Sequence, residues 1–283
     1  MNPILDSVRA GVRRGWIELR NTMSNAGELL NSIFPAVAML AAVVLLRGSS
    51  ASGSQLSVGA LSLPGALGAA VAAGGMLNAT QLLTNEREDG SLLRAKAIPN
   101  GMLGYLIGKL VQVSGVVLLG FVIILVPGLF LFDGVSVNGA GGWATLLWVT
   151  LLGLAATLPI GAVLGSLFAS PKTVGLVYPV IMGVIGISGI FVPITGFPRW
   201  LQLIAEVFPV YWMGLGLRSA LLAPAQAAHE IGGSWQHLPT ALVLGAWAVA
   251  GLVAAPVLLR RMARRESGSR LAGRREKALQ RVG

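Results

Sequence analysis

Three acids and three bases crowd into Thr84–Pro99, which reads T-N-E-R-E-D-G-S-L-L-R-A-K-A-I-P. The acids are Glu86, Glu88 and Asp89, and the bases are Arg87, Arg94 and Lys96. On charge content alone the block reads as a solvated loop that marks topology. Catalysis would need a nucleophile–base pair or a metal-ligand set. The chain has no cysteine and only two histidines, His229 and His237. Thiolate, disulfide and Cys-zinc chemistry are therefore excluded. Asp133, His229 and His237 fall in separate connecting segments without a serine, histidine and acid in combination. No catalytic residue and no metal ligand is assigned. No G-x-x-x-x-G-K-[ST] phosphate loop occurs, so the chain does not bind ATP by that device.

The segments that flank the charged block explain where it lies. Leu61–Leu83 on one side and Met102–Leu125 on the other contain no acid, and Lys109 is their one base. The whole chain of 283 residues is 54% hydrophobic and only 11% charged, with a mean hydropathy of +0.75. Soluble domains carry about 25% charged residues, so this is an integral membrane protein. A charge in hydrocarbon costs about 2.5–3.5 kcal/mol on insertion scales. The charged block must lie in water, joining two membrane spans. Within it Glu86, Leu93 and Ile98 suit a short amphipathic helix, with Pro99-Asn100-Gly101 as its stop.

Six spans reach or approach the ~20 apolar residues a bilayer requires. They are Leu29–Leu46, Leu61–Leu83, Met102–Phe132, Trp143–Ala169, Val174–Ile194 and Leu238–Leu259. The third is too long for a straight crossing, and Pro127-Gly128 is expected to break it. Before the first span, apolar residues at Ile4, Val8, Val12, Trp16, Leu19 and Met23 follow helical spacing. Arg9, Arg13, Arg14 and Arg20 interrupt every apolar run there, so residues 1–28 are not a signal peptide. They predict an amphipathic helix lying along the inner membrane surface. With both termini inside, only Arg47, Arg199 and Arg218 of the 21 Lys and Arg fall outside, as the positive-inside rule demands. The basic tail, 260–283, fits anionic lipid. It has no interleaved aromatic residues for stacking on bases, so nucleic acid is not a partner.

Between the fifth and sixth spans, residues 195–223 are apolar but broken by Pro198 and Pro209. Two half-length helices, Arg199–Val207 and Val210–Leu222, each fall short of a crossing. They predict a re-entrant or interfacial hairpin.

Two motifs carry a family resemblance. E-R-E-D-G-S-L, from Glu86 to Leu92, followed by Pro99 resembles the cytoplasmic loop of ABC type-2 exporter permeases. The family's acid after that leucine is here Leu93, followed by Arg94. Pro198, Trp200, Leu201, Pro209, Tyr211 and Arg218 resemble the same family's signature before the last span. The resemblance covers essentially Ile4 to Leu259. It implies an all-α membrane fold of six spans (29–259), preceded by an amphipathic connecting helix. It also implies that 84–99 forms a cytoplasmic coupling helix. Glu86, Arg87, Glu88, Asp89, Gly90, Ser91 and Leu92 would then face a separate ATPase. Two such ATPase subunits would bind ATP and Mg, and this chain would bind no cofactor. A second permease copy or a paralogue would complete the dimer, with the second and fifth spans enclosing the route. Asn78, Thr80 and Gln81 on the second span, with Tyr178 and Met182 on the fifth, are candidates to line it.

The resulting expectation is the permease subunit of an ATP-driven exporter in the plasma (inner) membrane, with both termini cytoplasmic. Its substrate would be hydrophobic or amphipathic: a drug, antibiotic, lipid or natural product. The alternatives are an importer or flippase of the same architecture, a membrane-embedded lipid-modifying enzyme, or a non-transporting sensor subunit. No acid lies centrally in a span, which argues against a proton-coupled carrier.

Overall fold

The computed structural model describes residues 3–49, 56–89, 101–167, 171–191 and 193–265. Side chains are described at all of these except 3, 85–89, 167, 171–174 and 255–265. The fold is all-helical. In chain order the helices are α1 (Pro3–Ser24), α2 (Ala26–Leu45), α3 (Val58–Asp89), α4 (Gly101–Leu131), α5 (Gly139–Leu167), α6 (Pro171–Ile187), α7 (Arg199–Val207), α8 (Pro209–Leu221) and α9 (His237–Arg265). Five of them, α2, α3, α4, α5 and α9, are long and apolar enough to cross a membrane, while α6 has 17 residues. The predicted hairpin is present as α7 and α8, bent by 87° across their junction.

At the centre stands α3. Of its apolar window 72% is buried, against 11% for α2, so α3 is the hub and α2 the periphery. Helices α2, α4, α5, α6 and α8 all pack against it. Its small residues make this possible: Ala60, Ala66, Ala69 and Ala72 are all buried. Close helix approach in lipid relies on such side chains, because neighbouring tails offer no hydrophobic drive. The Thr80 hydroxyl is buried and within reach of Met76 O at 2.7 Å and Gly161 O at 2.9 Å. It therefore contributes to the α3–α5 contact.

Three expectations are corrected. Pro127 does not break the third span, since α4 continues unbroken to Leu131. Leu63 of α3 packs against Gly128, and the proline removes one backbone hydrogen bond of α4 without ending the helix. At 31 residues and 1.5 Å per residue α4 is about 46 Å long, beyond the ~30 Å hydrocarbon core. Its first turns are flanked by α1. Secondly, the helix of the second span does not end at Leu83. No breaker precedes Gly90, and α3 runs through to Asp89. Residues 90–100, which include Gly90, Ser91 and Leu92, lie outside the described residues. Thirdly, the fifth span ends at Ile187 rather than Ile194, because Gly189 takes a positive φ of 65° and turns the chain.

The contact between α1 and α4 is a paired glycine crossing. A Cβ on Gly11 would stand 2.4 Å from Gly104 O, and one on Gly15 would stand 2.3 Å from Gly108 O. With Leu19 against Gly115 further along, the two helices run parallel. Of the predicted apolar stripe, Leu19 is buried here and Val8 partly so, whereas Val12, Trp16 and Met23 remain exposed. Glu18 locks the crossing. It accepts from Lys109 Nζ of α4 and, at 2.7 Å, from Arg14 Nε. Lys109 also donates to Gln112 at 3.1 Å. Asn25 then starts α2, its Oδ1 accepting from Gly27 N and Glu28 N at 3.0 and 3.2 Å. An asparagine N-cap of this kind satisfies otherwise orphaned helix donors.

Burial pushes the Glu18 carboxyl up, but the hydrogen bonds and charges of Lys109 and Arg14 outweigh it. The net pKa lies below the ordinary 4.5. A lowered folded-state pKa contributes stability that is present above the unfolded value and is lost as pH falls through the folded one. Glu18→Gln is therefore expected to lower the melting temperature of the detergent-solubilised protein at pH 7. The gap to wild type should close as pH falls below 4.5. A gap that stays constant down to pH 3 would contradict the pairing.

Candidate functional site

Helices α7 and α8 are each too short to span, and their junction is bent by 87°. Each free backbone group there needs a protein partner. Pro209 begins α8 and has no N–H to cap the end of α7. Two indoles take that role. Trp212 Nε1 donates to Glu206 O at 2.6 Å, and Trp247 Nε1 of α9 donates to Val207 O at 2.8 Å. Trp247 also stacks on Phe208 at the bend.

All 13 residues of α8 are buried. Its last carbonyls are met by the segment before α5. Asn138 Nδ2 donates to Ser219 O and Leu222 O at 3.0 and 2.7 Å, Asn138 N to Ala220 O, and Ser136 N to Leu221 O. Sequence reasoning did not single out Asn138. Its position ahead of Gly139 at the start of α5 reads as an ordinary turn.

Arg218 was expected on the water-exposed side of the hairpin, yet it is 2% exposed. The compensating charge is Glu230, 4% exposed and contributed by the connection to α9. Arg218 Nε donates to Glu230 Oε1 at 2.6 Å and Nη2 to Oε2 at 3.3 Å. Nη1 donates to Ile190 O at 2.9 Å and Gly189 O at 3.3 Å, just past the end of α6. Such fork-on-carboxylate pairing is the geometry that suits arginine to burial. Glu230 was missed, although a signal was there. It and Arg218 are the only charged side chains between Glu206 and Arg260, and two lone opposite charges in an apolar stretch are expected to find each other.

The other signature residues are spread over α7 and α8. Pro198 precedes α7, and Trp200 is 64% exposed on it. Leu201 N donates to Pro198 O in the first turn. Tyr211 is buried against Trp212, and its hydroxyl has no hydrogen-bond partner among the described residues.

The proposed path residues are divided between α3 and α6, which are in contact. Asn78 is half-buried and Gln81 exposed on α3. On α6 Tyr178 is exposed, while Met182 is half-buried against the core. Around Tyr178 lies an open face. Leu176 and Val180 are exposed, and no atom lies within 4 Å of where a Cβ on Gly175, Gly183 or Gly186 would stand. None of the four path residues lines the apolar cleft between α3, α4, α5 and α9, whose walls include Leu83, Tyr105, Pro159 and Leu252. Glu86, Arg87, Glu88 and Asp89 form the last turns of α3, directly beyond the buried Thr84. Among the described residues, no group of three or more His, Cys, Asp or Glu could hold a metal ion.

Residues 21–256 match a family model described as ABC-2 family transporter protein. No protein with curated annotation matches the chain.

Asn138→Ala removes the donor for two buried carbonyls of α8. It should destabilise the protein by about 1–3 kcal/mol, the cost of leaving a buried polar group unpaired. Trp247→Phe, which unmakes a bond at the more exposed bend, should cost less. Thermal unfolding in detergent measures both, and the reverse order would contradict this account of the hairpin.

Proposed function

The chain belongs to the ABC-2 family of transporter proteins, and we propose that it is the permease subunit of an ATP-driven exporter of hydrophobic or amphipathic compounds. The observation that carries this reading is the family match itself. It runs from the end of α1 into α9, across the bent hairpin and the charged end of α3. The chain lacks a phosphate loop, so a separate pair of ATPase subunits supplies ATP, Mg and the hydrolytic chemistry.

In this mechanism the acidic end of α3 is the receiver. Glu86, Glu88 and Asp89 continue a helix that is the hub of the bundle. A push delivered there travels along α3 to every helix packed on it, without a flexible joint before Asp89. Gly90, Ser91 and Leu92 complete the docking segment. The open face of α6, with its bare glycines and exposed Leu176 and Val180, is the surface for a second permease copy or a paralogue. Asn78, Gln81, Tyr178 and Met182 then face the route between the two. Methionine adapts to irregular apolar substrates, while the polar side chains orient them. Both termini are cytoplasmic, as the distribution of Lys and Arg requires. Alternating access follows from closure of the ATPase pair against the two α3 ends.

Glu86→Gln, Glu88→Gln and Gly90→Val test the docking segment. Losing a charge-paired acid at an interface costs about 2–5 kcal/mol. These variants should reach the membrane in normal amounts, fail to pull down the co-expressed ATPase, and lose efflux. Normal pull-down and efflux in all three would remove the docking segment from the mechanism. Uptake instead of efflux by wild-type vesicles would reverse the direction.

A further inference from the structure

Helix α6 stops because Gly189 turns left-handed, and that turn leaves the carbonyls of Gly189 and Ile190 without helical partners. Both accept from one edge of the Arg218 guanidinium, while its other edge is filled by Glu230. One side chain thus joins three segments: the end of α6, helix α8, and the connection into α9. The backbone around Ile190 is clasped as well. A Cβ on Gly65 of α3 would stand 2.3 Å from Ile190 O, and one on Gly214 of α8 would stand 3.1 Å from Ile190 Cα.

We propose that Arg218 is the positioning residue for α6. It fixes the hairpin end of that helix against α8 and keeps it closed. Its meaning for transport rests on the reading of α6 as a path helix, but the mechanical claim does not. A buried ion pair is weak as a source of stability, because desolvation offsets much of the attraction. What this pair contributes is geometry. The planar fork satisfies a carboxylate on one edge and two carbonyls on the other, which the compact ammonium of lysine does not reproduce. Released from Arg218, the Gly189–Ile190 turn has two unpaired carbonyls. It then moves toward water, and the end of α6 moves with it.

The chain has no cysteine, so single reporters are clean. Ser188 lies beside the turn and is 1% exposed, whereas Thr157, at 0%, reports on the α5 core. The experiment measures alkylation of Ser188→Cys and Thr157→Cys by a charged maleimide in lipid nanodiscs, where both faces are accessible. Arg218→Gln and Arg218→Lys should each accelerate the Ser188→Cys reaction at least tenfold and leave Thr157→Cys at its slow rate. Arg218→Lys, which keeps a cation for Glu230, should do so with a melting temperature close to wild type. A Ser188→Cys rate unchanged in Arg218→Lys overturns the proposal, and that variant decides if Arg218→Gln does not fold. Parallel acceleration of both reporters also overturns it, since Arg218 would then hold the bundle generally. Neither substrate nor ATPase takes part, so a failed transport assignment is read separately from efflux.

Discussion

Backbone polarity that hydrocarbon will not tolerate governs this structure. A full span solves the problem within itself, because its amides and carbonyls pair along the helix. Helices α7 and α8 stop halfway and expose four termini, and much of the chain's specific chemistry answers to that. Trp212 and Trp247 close α7, Asn138 and Ser136 close α8, and Arg218 closes the turn that follows α6. The partners come from the loop before α5, from α8 itself and from α9. The hairpin is thereby tied to elements far from it in sequence, and its burial depends on all of them together.

The opposite end of the bundle is held by different means. There α1 reaches α4 through glycine pairs, and Glu18 bridges to Lys109 across the crossing. Between the two ends runs α3, whose alanines and glycines let neighbours approach on several sides. The same helix that organises the core carries the acids beyond Thr84.

The sequence was most readable where proline set the local geometry. Pro198 and Pro209 placed both hairpin halves to within a residue, since each fixes where a helix starts. Pro127 misled, because α4 continues through it to Leu131, with Gly128 packed against Leu63. Thr84 was read as a boundary because charge begins there, yet polarity does not stop a helix when Glu and Arg favour it. Arg218 was the deepest miss. Its burial depends on Glu230 and on carbonyls beyond α6, and pairing of that kind is tertiary. Length alone did reveal that α4 is too long for a straight crossing, whereas its pairing with α1 rests on glycines that meet only in the fold.

The central claim is that a half-length helix is carried buried inside this bundle with its last carbonyls met by protein donors. Hydrogen–deuterium exchange on the nanodisc-embedded protein tests it most directly. The account predicts that amides of α8 between Tyr211 and Leu221 exchange as slowly as those of α3 between Leu63 and Met76. Exchange of α8 within seconds, with α3 still protected, would mean that the hairpin lies at the surface, and it would contradict the account.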